Sequence, residues 1–72
     1  MLDEKEVTVY TIEGCSACDQ ALDYLRKREV TPSVLPVERE TPEVAELIQT
    51  TGCSTFPQIF VDSVFIGGLS DL

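Results

Sequence analysis

Two cysteines separated by two residues, Cys15 and Cys18, stand where a β-branched run ends and a helical repeat begins. Upstream, Glu6 to Ile12 reads Glu-Val-Thr-Val-Tyr-Thr-Ile and runs directly into Gly14, the composition of a strand that ends in a turn. Downstream, from Ser16 to Arg28, the apolar positions Cys18, Ala21, Leu22 and Leu25 recur at i, i+3, i+4 and i+7, so they share one helix face. The pair therefore marks a strand-to-helix junction. Both side chains project from one side of the first helical turn, and their sulfurs can reach bonding distance.

The rest of the chain repeats this alternation. Val34 to Val37 is a short apolar run, and Pro36 within it predicts an edge strand, because proline cannot donate to a ladder. Thr41-Pro42 supplies a helix cap and a first-turn proline, Val44, Leu47 and Ile48 share a face, and Gly52 stands where a C-cap belongs. Gln58 to Val61 and Val64 to Ile66 flank Asp62-Ser63, which predicts a hairpin. The order is β-α-β-α-β-β, with a parallel pair joined by a right-handed crossover and a final antiparallel hairpin at the edge. Residues 1–72 form a single domain, since a chain of this length buries only about 60% of its unfolded surface.

Composition narrows the function. A formal charge of -8 repels phosphate backbones and anionic membranes, which argues against nucleic-acid and membrane binding. Three of the five basic residues, Arg26, Lys27 and Arg28, close the first helix, where cations complement the dipole, so they do not form a binding patch. The charged start Met1-Leu-Asp-Glu-Lys-Glu lacks an apolar stretch of signal-peptide length, and a cytoplasmic location is expected. An odd cysteine count without an export signal speaks against a secreted disulfide scaffold. With three cysteines and no histidine, a closed four-ligand zinc site within one chain is excluded, and so is histidine-based acid-base chemistry.

Redox use of the pair is then favoured over two inert core cysteines, because the pair follows a strand at a helix start. The helix amino end carries free N–H groups and partial positive charge, which stabilise a thiolate on Cys15 and make it the nucleophile. Cys18, on the apolar face with Leu22 and Leu25, is shielded and acts as the resolving thiol.

Gly14-Cys-Ser-Ala-Cys18, Thr55-Phe-Pro-Gln-Ile-Phe-Val61 and Phe65-Ile-Gly-Gly-Leu-Ser-Asp-Leu72, in that order behind the first strand, closely resemble the glutaredoxin family. The resemblance implies a thioredoxin-like α/β fold with a central mixed four-stranded sheet, and a glutathione-dependent oxidoreductase that reduces protein disulfides and glutathione mixed disulfides. By position it implies that Pro57 is a cis-proline beside the active cysteine, and that the backbone of Phe56 pairs with bound glutathione as an added strand would. Thr55 belongs to the same element. Gly68, Ser70 and Asp71 would hold the γ-glutamyl end, the Asp71 carboxylate facing the ligand's ammonium. Read without the family, Ser70-Asp71 is a helix cap. The expected partners are glutathione and disulfide-containing or glutathionylated proteins, ribonucleotide reductase being a common client, and the protein is expected to be a monomer.

The departures from the family pattern carry their own expectations. Many relatives place Pro-Tyr between the cysteines; here Ser16-Ala17 stand there. In the family, small residues at that proline accompany a [2Fe-2S] cluster held between two protomers with two glutathiones, in which Cys15 would be the protein ligand, so cluster binding is the alternative activity. Relatives often carry a lysine where this chain has Ile12, followed by Glu13, which predicts weaker glutathione binding. Cys53 is read as a partly buried bystander thiol or a secondary glutathionylation site. Relatives usually continue beyond the position of Leu72 into a last helix, which is missing or truncated in this sequence.

Overall fold

The computed structural model describes residues 5–72; residues 1–4, where the charged amino-terminal stretch read above begins, lie outside the described residues. Four strands and two helices follow in the expected order: β1 (Val7–Ile12), α1 (Ser16–Lys27), β2 (Ser33–Val37), α2 (Pro42–Thr51), β3 (Gln58–Val61) and β4 (Val64–Gly67), closed by a 3₁₀ turn at Leu69–Asp71. The strands form one mixed sheet in the order β2-β1-β3-β4. β1 and β2 are parallel, whereas β3 runs antiparallel to β1 and β4 antiparallel to β3.

The local signals act as their chemistry dictates. Thr41 caps α2 by accepting the Val44 N–H at 3.4 Å, and Gly52 ends it in the left-handed region, where a Cβ would be unfavourable. Arg28 ends α1 as its C-cap; its guanidinium lies 4.4 Å from the centre of the Tyr24 ring, and Lys27 pairs with Asp23 at 3.2 Å. The basic cluster thus serves the helix end. Asp62 and Ser63 both take positive φ, as a two-residue hairpin loop matched to strand twist requires. Asp62 is held there because its carboxylate accepts the Glu6 N–H at 2.9 Å while its own N–H donates to Glu6 O at 2.8 Å.

Side-chain alternation along β1 assigns the two faces of the sheet. Val7 and Val9 pack with Ile59 against Ala21, Leu25 and Val30 on the α1 side. Ile12 and Val37 pack against Val44 on the α2 side, with Ile48 and Phe56 at the margin. Leu25 is fully enclosed, a burial that contributes about 1.5–3 kcal/mol. β2 is an edge strand with Pro36 opposite Thr11, so its apolar run stays half exposed at Val34 and Leu35, each at 42%.

Register brings the chemistry to one end of the sheet. Ile12 is level with Val37, Tyr10 with Gln58, and Ile59 with Gly67. The segments that leave the sheet there are Glu13 to Cys15, Glu38 to Thr41, Phe56-Pro57 and Gly68 to Asp71.

Candidate active site

The turn between β1 and α1 places Cys15 as the N-cap of α1. Its sulfur accepts the backbone N–H of Cys18 at 3.1 Å, so the sulfur occupies the position that a Ser or Asp oxygen takes in an ordinary cap. On its other side the Sγ lies 3.5 Å from the carbonyl oxygen of Phe56, the residue before the proline. Gly14 has φ 74° and makes the turn that aims Cys15 outward.

Cys18 is buried at 2% exposure, and both thiols are free. Burial first, and then the hydrogen bond with Cys15, push the Cys18 thiol up to about 11. The two sulfurs therefore differ in access, and the buried one holds its proton above the ordinary thiol range. A half-exposed sulfur held by a backbone N–H can attack a disulfide, and a buried thiol beside it can attack the resulting mixed disulfide.

A groove of about 550 Å³ opens beside this pair. Thr55, Phe56, Pro57, Gly68, Ser70 and Asp71, the positions nominated from the sequence, all line it, together with Ala17 and Cys53. The Phe56–Pro57 peptide bond is cis. Cys15 and Cys18 line an adjoining cavity of about 380 Å³ with Gly14 and Asp19.

Asp71 acts as a cap and also borders the groove. Its Oδ2 accepts the Gly68 N–H at 2.9 Å, a reverse cap on the 3₁₀ turn, while the same carboxylate borders the groove. Gly67 makes this possible. It has φ 131°, and a Cβ there would overlap the Asp71 carboxylate. Gly68 is less restricted: its φ of -109° suits any residue, and a Cβ there would lie 3.3 Å from the Pro57 carbonyl oxygen, a tight contact.

Cys53 is half-buried, consistent with a partly buried thiol, and it lies within the groove. Its sulfur is 3.3 Å from Thr55 Oγ1 and 3.7 Å from Thr55 O, and these hydrogen bonds hold the thiol below its ordinary range.

Two residues missed in the sequence support the site. Gln58 is read there as an ordinary strand residue, yet it is fully buried: its Nε2 donates to Cys53 O at 2.6 Å and to Thr55 O at 3.3 Å, and its Oε1 accepts from Thr51 Oγ1 at 3.0 Å. It ties the loop before Pro57 to the end of α2. A glutamine at the first position of a strand, directly after the proline, is the available signal. Arg39 is the second: its Nη2 donates to the Glu13 carbonyl oxygen at 3.1 Å and braces the turn that carries Cys15. Ile12, the position where relatives often carry a lysine, is buried at 8% and belongs to the core.

The comparisons with known proteins agree on one family. The family model described as Glutaredoxin matches residues 7–66. Glutaredoxin 3 of Escherichia coli strain K12 is 38% identical over 66 residues, which cover 92% of this chain and 80% of that protein. Among solved structures, glutaredoxin 1 from Francisella tularensis complexed with cacodylate superposes with a TM-score of 0.80 at 26% identity, covering 93% of this chain and 86% of the other. A buckwheat glutaredoxin-glutathione complex shares the fold, with a TM-score of 0.77 at 20% identity over 97% of this chain and 66% of that one.

Proposed function

The chain belongs to the glutaredoxin family of thiol-disulfide oxidoreductases, and from that premise we propose that it reduces protein disulfides and glutathione mixed disulfides with glutathione as the electron donor. The observation that carries the proposal is the asymmetry of the pair: Cys15 is half-exposed and caps α1, and Cys18 is buried and holds its proton to about 11.

In the proposed reaction Cys15 attacks the glutathionyl sulfur of a mixed disulfide. The protein thiolate leaves and takes a proton, and glutathione remains on Cys15. A glutathione thiolate then attacks that adduct, joining the glutathionyl group taken from the substrate to give oxidised glutathione and regenerating Cys15, so one glutathione thiol is consumed per mixed disulfide. With a protein disulfide, Cys18 loses its proton and attacks the mixed disulfide on Cys15, leaving a Cys15–Cys18 disulfide that two glutathiones reduce. Phe56 and Thr55 offer backbone along the groove, and Asp71 offers a carboxylate to the ligand's ammonium. The buckwheat structure, a complex with glutathione on the same fold, supports a ligand of this kind. Glutathionylated and disulfide-containing cytoplasmic proteins, ribonucleotide reductase among them, are the proposed clients.

The test is turnover of a glutathionylated peptide with glutathione as reductant. Cys15→Ser is expected to be inactive and Cys18→Ser to retain turnover; full activity in Cys15→Ser would refute the mechanism.

A second reading, binding of a [2Fe-2S] cluster, has one feature in its favour. Ala17 borders the groove, so no bulky ring stands between Cys15 and a second ligand. Cys15 would be the chain's ligand, with glutathione thiolates supplying others. Anaerobic reconstitution with iron, sulfide and glutathione would yield a coloured dimer if this holds and a colourless monomer if it does not.

A further inference from the structure

The fold distributes the chain's five basic residues unequally. Lys5 pairs with Asp62 at the hairpin loop, and Arg26, Lys27 and Arg28 close α1; both places lie at the end of the sheet remote from Cys15. Arg39 alone stands at the cysteine end. β2 finishes at Val37, level with Ile12, and the Arg39 guanidinium reaches across to the Glu13 carbonyl oxygen at 3.1 Å, two residues before Cys15. The ion pairs among the described residues are Lys5–Asp62 and Lys27–Asp23, so Arg39 has no carboxylate partner among them. A carbonyl fixes a guanidinium without neutralising it, and four of its five N–H donors stay available.

The groove has the opposite character. Its single charged side chain is Asp71; no lysine or arginine lines it among the described residues. A ligand carrying both an ammonium and a carboxylate finds its anionic partner in the groove and its cationic partner only at Arg39.

We propose that Arg39 is a specificity-determining residue that receives a carboxylate of the thiol ligand whose sulfur reacts at Cys15, while Asp71 receives its ammonium; this rests on the glutathione reading above. Arg39 follows β2 at one edge of the sheet and Asp71 follows β4 at the other, with the Cys15 turn between them. Three strand spacings separate those edges by about 14 Å. An extended tripeptide spans roughly 10–11 Å, and two inward-leaning side chains cover the remainder. For glutathione the carboxylate in question is that of its glycine.

The experiment compares two mixed disulfides of one peptide, one with glutathione and one with its glycine ethyl ester, at fixed glutathione concentration. For the glutathione adduct, Arg39→Gln is expected to raise KM about three- to fivefold, as the loss of an exposed charge contact does, with the loss falling on KM rather than kcat. The ester should show a similar rise with the unaltered protein and no further rise with Arg39→Gln. Arg39→Lys should recover part of the loss, Arg39→Glu should exceed it, and the difference should fade in about 1 M salt. Equal KM values for the unaltered protein and Arg39→Gln, or an equal penalty on both adducts, would overturn the assignment and leave the glutathione reading intact. No turnover of either adduct by the unaltered protein would overturn the glutathione reading and the Arg39 assignment with it.

Discussion

Replacing Gly67 by alanine isolates the contact on which the carboxyl-terminal wall of the groove depends. The residue holds φ 131°, where an L side chain is strained by about 1–3 kcal/mol. The new Cβ would also displace the Asp71 side chain, whose Cγ lies 2.5 Å and whose Cβ lies 2.9 Å from the new atom's position, and so break the bond from the Gly68 N–H. That bond contributes about 0.5–1.5 kcal/mol. The combined cost is about 2–4 kcal/mol, against a total stability of roughly 4–11 kcal/mol for 72 residues. At about 4–8 °C per kcal/mol for a domain of this size, the unfolding midpoint should fall by about 8–32 °C. Circular dichroism melts of Gly67→Ala, Asp71→Ala and the double variant test the argument. Part of the Gly67→Ala cost exists only while Asp71 is present, so the double variant should be less destabilised than the sum by about 0.5–1.5 kcal/mol. A Gly67→Ala protein within about 0.5 kcal/mol of its parent, or strict additivity, would refute it.

Other positions are expected to respond as follows. Gln58→Leu leaves the Cys53 and Thr55 carbonyls without their buried partner and should cost about 2–4 kcal/mol by urea denaturation, with a matching rise in proteolysis between Thr51 and Pro57. Because Cys18 holds its proton to about 11 when folded, against an ordinary value of 9.0, its stabilising contribution is intact below pH 9 and drains as pH rises through 11. The stability gap between the parent and Cys18→Ser should therefore narrow over that window, and a constant gap would contradict the burial argument. Burial of Cys18 persists in the mixed disulfide, so reduction of protein disulfides through Cys18 should accelerate with rising pH as its thiolate fraction grows, and a flat pH profile would contradict it.

Much of this fold was legible because its signals are local. Thr41-Pro42, Gly52 and the i, i+3, i+4, i+7 face of α1 each act within a few residues, and the structure places helix ends and core faces accordingly. Pro36 correctly marks an edge strand, since the constraint belongs to its own missing N–H. The pair Asp62-Ser63 was a weaker signal than a glycine turn. The loop forms because Asp62 bonds Glu6, a partner 56 positions away that a local reading does not supply. Gln58 escaped for the same reason: its worth lies in carbonyls of another segment, and a buried amide looks like any polar residue until its partners are known. Arg39 carries no local signal, because its role depends on register between β1 and β2.

The atom proposed to react in this protein is also the atom that closes the first turn of its helix. Once Cys15 enters a disulfide, its sulfur becomes a poor acceptor for the Cys18 N–H, so every catalytic cycle unfastens and refastens the start of α1. Hydrogen exchange at the Cys18 amide should then follow oxidation state, fast in the mixed disulfide and slow in the reduced protein. The backbone would keep a record of the chemistry at the sulfur.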